Sequence, residues 1–243
     1  MKLISSYVIL ILLMGCFGCA KTSSWGRTAS LNIVNAINGN VSVLTNLEPT
    51  GAKGGFVAPL QYYATANQIV YGSFWESGSY VGVVPLSLFQ YPDSSMILWQ
   101  GSLSLEPGSI QTLYLSGDTS SVDTLLLADN IPYYPSNDSV AGVRIINLIW
   151  GAQPISVNLA GNLPAQTEFN GIGYRQISGF KQYNAGGSVT GSYSFEIRDQ
   201  TSDSLLSTFQ WSYTLFRNNT IVLMGSEKSV LLQPIQVFAV NNF

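Results

Sequence analysis

The chain has 243 residues, a formal net charge of −3 and only 9% charged residues. It contains no histidine, which excludes Ser-His-Asp and Cys-His catalysis and the common imidazole zinc sites. The acidic balance and the lack of a Lys/Arg cluster argue against a nucleic-acid partner. A low charge combined with 12% aromatic residues is the opposite of a disordered composition and suits a sheet protein.

The first predicted element is a lipoprotein signal peptide at residues 1–15. Lys2 supplies a positive n-region, and an unbroken apolar stretch runs from Val8 to Met14. Seven helical residues rise only about 10 Å against a bilayer core of about 30 Å, so this stretch is too short to span a membrane. The sequence Leu-Met-Gly-Cys that ends at Cys16 resembles a bacterial lipobox, and Cys-Phe-Gly-Cys ending at Cys19 is a second candidate. We predict lipidation at Cys16, with Cys19 as the alternative.

A lipid anchor explains these cysteines better than a disulfide, because the chain holds no other cysteine. Two or three acyl chains give stable membrane attachment, whereas a single chain binds only marginally. We therefore expect an anchored protein of the cell envelope, on the outer membrane of a Gram-negative bacterium, with residues 16–28 as a tether. No cofactor and no metal site are predicted.

The segments that follow show strand patterns and no convincing amphipathic helix. Segments 192–199 (SYSFEIRD) and 209–215 (FQWSYTL) alternate aromatic or apolar residues with polar ones, which is typical of half-buried strands. In segment 35–44 (NAINGNVSVL), Asn38-Gly39 lies between two apolar runs and predicts a β-hairpin. The predicted fold class is all-β.

The two halves of the chain also resemble each other. With Ala29 aligned on Ala141, Ile33-Val34-Asn35 matches Ile145-Ile146-Asn147, and Gly39 matches Gly151. Segment 102–117 (SLSLEPGSIQTLYLSG) likewise parallels segment 209–226 (FQWSYTLFRNNTIVLMGS). A spacing near 112 residues suits one sandwich domain. We predict two tandem immunoglobulin-like antiparallel β-sandwiches at 29–130 and 141–243, joined by a linker at 131–140 with two prolines.

One segment carries a family resemblance. Residues 143–162 (VRIINLIWGAQPISVNLAGN), followed by 174–180 (YRQISGF) and a glycine-led strand, resemble the bacterial domain of unknown function 4397 family. The family's Pro-Asp-Ala-Pro turn is absent, and of that turn only Pro154 is kept. The resemblance implies tandem domains on a secreted or lipid-anchored protein, and it implies no site residue.

Two functional classes remain open. The first is a non-catalytic binding or adhesion module for glycans, since loops on a rigid scaffold are where binding residues gather. The second is a structural or accessory subunit that docks on an outer-membrane protein through its sheet edges. We predict no enzyme, because the thirteen acids are scattered singly through the chain. The candidate ligand-binding aromatics are Tyr62, Tyr63, Trp75, Tyr133 and Tyr134. The alternative for each is packing in a core or between the two domains, and for Tyr133 and Tyr134 this alternative has at least equal weight, because a joint between domains also needs rigid apolar contact.

Three short motifs resemble sites of bacterial O-glycosylation, in which Asp-Ser/Thr precedes an apolar residue. They place candidate acceptors at Thr124, Ser139 and Ser204. Ser139 is the preferred candidate, because it lies in the predicted linker.

Overall fold

The computed structural model describes residues 28–39, 41–47, 63–65, 68–70, 74–93, 95–162, 166–186, 190–226 and 235–242, with the side chains of 63–80 left out. Cys16, Cys19 and Tyr62 lie outside the described residues. Within the described ranges the chain forms strands and no helix, which confirms the predicted all-β class. No helix in this part of the chain is long and apolar enough to cross a membrane.

Among the described residues, nine strands belong to the N-terminal half and nine to the C-terminal half. The N-terminal strands are β1 (Thr28–Asn35), β2 (Val43–Asn46), β3 (Tyr63–Thr65), β4 (Gln68–Val70), β5 (Phe74–Tyr80), β6 (Gly82–Gln90), β7 (Ile97–Leu105), β8 (Ile110–Asp118) and β9 (Ser121–Ala128). The C-terminal strands are β10 (Val140–Trp150), β11 (Ile155–Leu159), β12 (Thr167–Ile172), β13 (Gln176–Ile177), β14 (Lys181–Asn184), β15 (Thr190–Asp199), β16 (Leu205–Thr214), β17 (Asn218–Ser226) and β18 (Gln236–Asn242).

Each half contains two main sheets among its described residues; the inner sheets have corresponding strand orders, and the C-outer sheet has one strand, β12, more than the N-outer sheet. The N-inner sheet has the order β5-β1-β8-β9, and the C-inner sheet has β13-β10-β17-β18, with β14 also paired to β10. The N-outer sheet is β2-β6-β7, and the C-outer sheet is β12-β11-β15-β16. The first strand of each half runs parallel to the penultimate one, β1 to β8 and β10 to β17, and the other pairs are antiparallel. The immunoglobulin-like assignment and the domain boundaries stay predictions.

Alternating side chains fill a core between the two sheets of each half. In β15 and β16 the pattern predicted from sequence is confirmed, since Phe195, Ile197 and Trp211 are buried while Ser194 and Gln210 face outward. A third cluster lies between the two inner sheets, so four sheets stack in the order N-outer, N-inner, C-inner, C-outer. The third cluster contains Val34, Ala36, Tyr114, Ile146, Leu148, Val222, Met224, Phe238 and Val240.

The predicted hairpin at Asn38-Gly39 is wrong. Gly39 has the positive φ that its turn requires, at +108°. However, β1 pairs with β5 and β8, whereas β2 pairs with β6, so the turn carries the chain from one sheet to the other. The fully buried Asn35 fixes this crossing, because its side chain donates to the Val41 carbonyl at 2.7 Å and accepts from the Ile37 amide at 3.2 Å.

Asn147 has the same role at the corresponding position of the C-terminal half. Its side chain donates to the Ile172 carbonyl at 2.9 Å and accepts from the Ile149 amide at 3.0 Å. The repeated Asn of the sequence alignment is therefore a buried residue that shapes the exit of the first strand in each half. A buried side-chain amide without hydrogen-bond partners would destabilise the folded state. This explains why both the nitrogen and the oxygen of this side chain form hydrogen bonds.

The strand pairings define two ends of the molecule. At the first, here called the Thr28 end, β1 and β8 begin and β9 finishes. β18 also finishes there, where Asn242 pairs with Asn218. The opposite, distal end holds the β1–β2 crossing and the β6–β7 hairpin, joined where the Tyr91 amide donates to the Ser42 carbonyl. The predicted tether therefore meets the fold at the Thr28 end.

A polar clasp joins the two halves towards the distal end. The Tyr174 hydroxyl donates to Asp123 at 2.8 Å and lies 3.1 Å from the Ser116 hydroxyl. Beside it, the Arg175 guanidinium donates to the Thr124 carbonyl at 2.6 Å. Arg175 has a φ of +61°, an uncommon conformation for a residue other than glycine. These bonds tie the β12–β13 turn to β9 across the two halves.

Alkaline pH is expected to unfold the protein through its buried tyrosines. Burial raises the pKa of Tyr114 and of Tyr174 from 10.0 to about 12. Because the folded-state value lies above the unfolded one, the full stability is present below pH 10 and is lost as the pH rises through 12. The loss for the fully buried Tyr114 is about 2–3 kcal/mol. Urea unfolding at a series of pH values tests this, and Tyr114→Phe should flatten the profile. An unchanged profile in that variant would contradict the assignment.

Candidate binding site at the linker

A groove of about 550 Å³ lies at the Thr28 end, beside the predicted linker. Two segments form its walls: the β7–β8 turn and the chain that leaves β9. It is lined by Glu106, Gly108, Ser109, Ile110, Ala128, Asp129, Asn130, Ile131 and Pro132. We call it the linker groove.

The β7–β8 turn is held rigidly by its own polar groups. The single hydroxyl proton of Ser109 is shared between the Glu106 carbonyl oxygen, at 2.7 Å, and the Gln111 side-chain oxygen, at 2.9 Å. The same Gln111 oxygen accepts from the Glu106 amide at 2.9 Å. Gly108, at a φ of +71°, donates its amide to the Thr28 carbonyl at 2.9 Å. One wall of the groove is therefore preformed and fixed to the start of the fold.

The second wall is fixed through Asp129. Its amide donates to the Ile110 carbonyl at 2.8 Å, which extends the pairing of β8 and β9 by one residue. Its carboxylate accepts from the Thr112 hydroxyl at 2.5 Å and forms a buried ion pair with Arg144 of the C-terminal half. The Arg144 guanidinium also lies 4.6 Å from the centre of the Phe180 ring. The base of this wall is thus a contact between the two halves.

The two linker tyrosines have opposite environments. Tyr133, directly after the groove-lining Pro132, is 87% exposed, the largest exposed fraction among the described large apolar side chains. Tyr134 is 4% exposed and its hydroxyl donates to the Asn218 side chain at 2.8 Å. Burial also raises the pKa of Tyr134. Its ring is not accessible to a ligand, so the prediction of Tyr134 as a binding aromatic is corrected. Tyr134 attaches the linker to β17.

The other predicted aromatics are not brought to this groove by any described contact. Tyr63 is the first residue of β3, and Trp75 lies in β5, where it pairs with Ile33. Their side chains, like the whole of Tyr62, fall outside the description. These three candidates stay predictions.

Several apolar side chains at the distal end are exposed, and the sequence patterns did not indicate them as candidates. Tyr91, Met96 and Ile97 lie on the β6–β7 hairpin and are 48%, 50% and 57% exposed. Trp150 ends β10 at 42% exposure, beside Gly151 with its positive φ of +74°. A signal was available for Trp150, since it ends an apolar strand immediately before a glycine turn.

The three candidate glycosylation sites differ in accessibility. Ser139 and Ser204 are exposed, and the Ser204 hydroxyl lies 2.8 Å from that of Ser202. Thr124 is only partly exposed, and its carbonyl is taken by Arg175. Modification at these residues stays a prediction.

Several acidic groups in the described residues close turns or form ion pairs. The Asp118 carboxylate accepts from the backbone amides of Ser120 and Ser121, at 2.8 and 2.9 Å, which closes the β8–β9 turn. The hydroxyl bond from Ser120, with these amide bonds, lowers the pKa of Asp118. No group of three or more Cys, Asp or Glu that could hold a metal ion occurs in the described part of the chain.

Comparison with known proteins yields no family. No protein-family model matches the chain, and no curated protein matches it. Among solved structures, the chain is similar to the family CBM26 module CBMbc of Eubacterium rectale Amy13K, crystallised in complex with maltoheptaose. That match has 12% identity, a TM-score of 0.28, and covers 87% of this chain and 96% of that one.

A leucine-rich repeat protein from Bacteroides thetaiotaomicron also matches, with 11% identity and a TM-score of 0.19. The match covers 84% of this chain and 27% of that one. Both TM-scores are too low to carry an argument. The fold and the candidate site therefore rest on the contacts within this chain.

Proposed function

We propose that the protein is a non-catalytic binding module of the cell envelope, attached by a lipid, and that its linker groove takes a glycan. The supporting observation is a groove with a mixed polar and apolar lining that is followed at once by an exposed aromatic ring, that of Tyr133. Ligand sites combine apolar or aromatic surface with a few fixed polar groups. An exposed Tyr ring offers a flat apolar face with a polar tip. The groove adds the carboxylate of Glu106, the amide of Asn130 and the hydroxyl of Ser109 as partners for sugar hydroxyls.

Tyr133→Ala is expected to weaken glycan binding about tenfold, which corresponds to about 1.4 kcal/mol, without changing stability. A glycan array with residues 22–243 identifies the ligand, and calorimetric titration of the hit measures the affinity. The matched control is Tyr91→Ala, which removes an exposed tyrosine at the distal end. Equal affinities for the two variants would place the ligand elsewhere, and an empty array would remove the glycan proposal.

The anchor has its own test. Mass spectrometry of the mature N-terminus from native membranes is expected to show a diacylated or triacylated Cys16. Cys16→Ala should then release the protein from the membrane, while Cys19→Ala should leave it attached. The reverse result selects Cys19, and release by neither variant removes the anchor.

Docking on an outer-membrane protein is the second candidate function. Its supporting observation is the distal β6–β7 hairpin, where Tyr91, Met96 and Ile97 are each about half exposed. A crosslinking pull-down from intact cells tests it. A defined protein partner that is lost with Tyr91→Ala but kept with Tyr133→Ala would favour docking over glycan binding.

A further inference from the structure

Each half contacts the other through its inner sheet, and the two inner sheets use equivalent faces for this contact. Strands β1, β8 and β9 of the N-inner sheet occupy the positions of β10, β17 and β18 in the C-inner sheet. Most of the cluster between the inner sheets is built from corresponding residues of the two halves. The corresponding pairs are Val34 and Ile146, Ala36 and Leu148, Tyr114 and Val222, Leu125 and Phe238, and Leu127 and Val240. Such matching is the property of an isologous interface, in which one patch meets its own copy.

The polar edge of the interface is matched in the same way. In the N-terminal half, Thr112 donates to Asp129 at 2.5 Å. In the C-terminal half, the corresponding Thr220 donates to Asn242 at 2.5 Å. Arg144 donates to Thr220 of its own half at 2.8 Å and crosses to the N-terminal half by pairing with Asp129. The residues are buried, so water does not screen the pair.

At two corresponding positions, the residues of the two halves differ in charge. The position of Arg144 in β10 is held by Asn32 in β1, and the position of Asp129 after β9 is held by Asn242 in β18. The charged pair therefore forms at one of the two equivalent places. At the other place lie Asn32 and Asn242, both 1% exposed.

These differences decide which copies fit together. If two N-terminal halves met through this face, each Asp129 would be buried opposite an Asn32. If two C-terminal halves met, each Arg144 would be buried opposite an Asn242. Either arrangement buries two charges without a counter-charge, which is strongly unfavourable. Only unlike halves neutralise both charges.

We infer that this face is a self-complementary interaction surface whose partner is a copy of the repeat, and that the Arg144–Asp129 pair restricts it to unlike halves. The surface keeps the two halves associated when they are no longer covalently connected. It also accepts the unlike half of a second chain in place of the chain's own. This inference is independent of any ligand in the linker groove.

The test uses the full chain, cut after folding. A protease recognition sequence is inserted between Ser136 and Asn137, two exposed residues of a turn. Cut proteins with light and heavy isotope labels are mixed, and native mass spectrometry reads which halves associate. We expect one-to-one complexes of unlike halves, exchanging between the labels, and at least about 100-fold fewer complexes of like halves. Separation of the halves after cutting, or equal amounts of like and unlike complexes, would overturn the inference.

A double variant tests the role of the charges. Arg144→Asn with Asp129→Asn places asparagine at every corresponding position, and complexes of like halves are then expected to rise at least tenfold. Circular dichroism before cutting verifies that the variant is folded. A folded variant that keeps the full preference for unlike halves would show that the ion pair does not set the specificity. If the variant does not fold, the cut protein with both native residues still decides the main inference.

Discussion

Arg144→Met is expected to lower the free energy of unfolding by about 3–5 kcal/mol. The substitution leaves the Asp129 carboxylate, whose side chain has no exposed surface, without its counter-charge. The Thr112 hydroxyl still donates to this carboxylate, but one hydrogen bond does not replace a guanidinium at that depth. The substitution also removes the hydrogen bond from Arg144 to Thr220 and the contact of the guanidinium with the Phe180 ring. Urea unfolding measures the change.

Arg198→Met is the matched control for this experiment. Arg198 pairs with Glu196 at 2.8 Å on the outer face of β15, where both side chains are about one-fifth exposed. Ion pairs open to water contribute about 0–1 kcal/mol, so the control should change stability little. A loss in Arg144→Met as small as in the control would mean that the pair at the interface is solvated.

A second substitution separates the charge from the packing. Replacing both partners of a buried ion pair by apolar residues is often neutral, because no charge is left uncompensated. Arg144→Met combined with Asp129→Leu is therefore expected to recover most of the stability lost in Arg144→Met alone. Failure to recover would show that the side-chain shape, rather than the charge, is what the interface requires.

The sequence contained enough information for strands with a clear alternation. Alternation in β15 and β16 identified their inward and outward faces, because one face of each strand is buried and the other is not. The repeated Asn of the two halves was visible as well, at Asn35 and Asn147. Its reason was not visible, since the bonds to Val41 and Ile172 depend on where the chain turns.

The sequence alone did not indicate which strands join the same sheet. Asn38-Gly39 has the local chemistry of a hairpin, yet the strands on either side belong to different sheets. Local residues set the turn conformation, whereas the pairing of β1 with β8 depends on residues far along the chain. For the same reason the contact between Asp129 and Arg144 could not be inferred from their spacing.

The candidate site was only half predictable. The two linker tyrosines are adjacent and chemically identical, so no local pattern separates the exposed Tyr133 from the buried Tyr134. What separates them is Asn218, which lies far along the chain and accepts from the Tyr134 hydroxyl. The groove itself arises from Glu106 to Ser109 meeting the chain after β9, which is again a long-range contact.

Trp211→Ala is expected to lower the free energy of unfolding by about 3–5 kcal/mol. Trp211 is fully buried, and four aromatic rings surround it. Their centres lie 5.6 Å away for Tyr183, 6.1 Å for Tyr193, 6.2 Å for Phe195 and 5.8 Å for Tyr213. These separations fall in the range where aromatic pairs attract. Removing the indole therefore leaves a cavity within the aromatic part of the C-terminal core.

Removing Trp211 also removes a buried hydrogen bond, in addition to creating the cavity. The Trp211 indole N–H donates to the Asn219 side-chain oxygen at 3.0 Å, and Asn219 in turn donates to Asn241 at 2.7 Å. Trp211→Phe keeps most of the ring volume but removes this donor, so it isolates the hydrogen bond, whose loss costs about 1–3 kcal/mol. Trp150→Ala is the control, because that indole is 42% exposed and should contribute within about 0.5 kcal/mol. Urea unfolding with near-ultraviolet circular dichroism ranks the three variants. Equal losses for Trp211→Ala and Trp150→Ala would contradict the packing of β16 against the C-inner sheet, because only a buried indole leaves a cavity when removed.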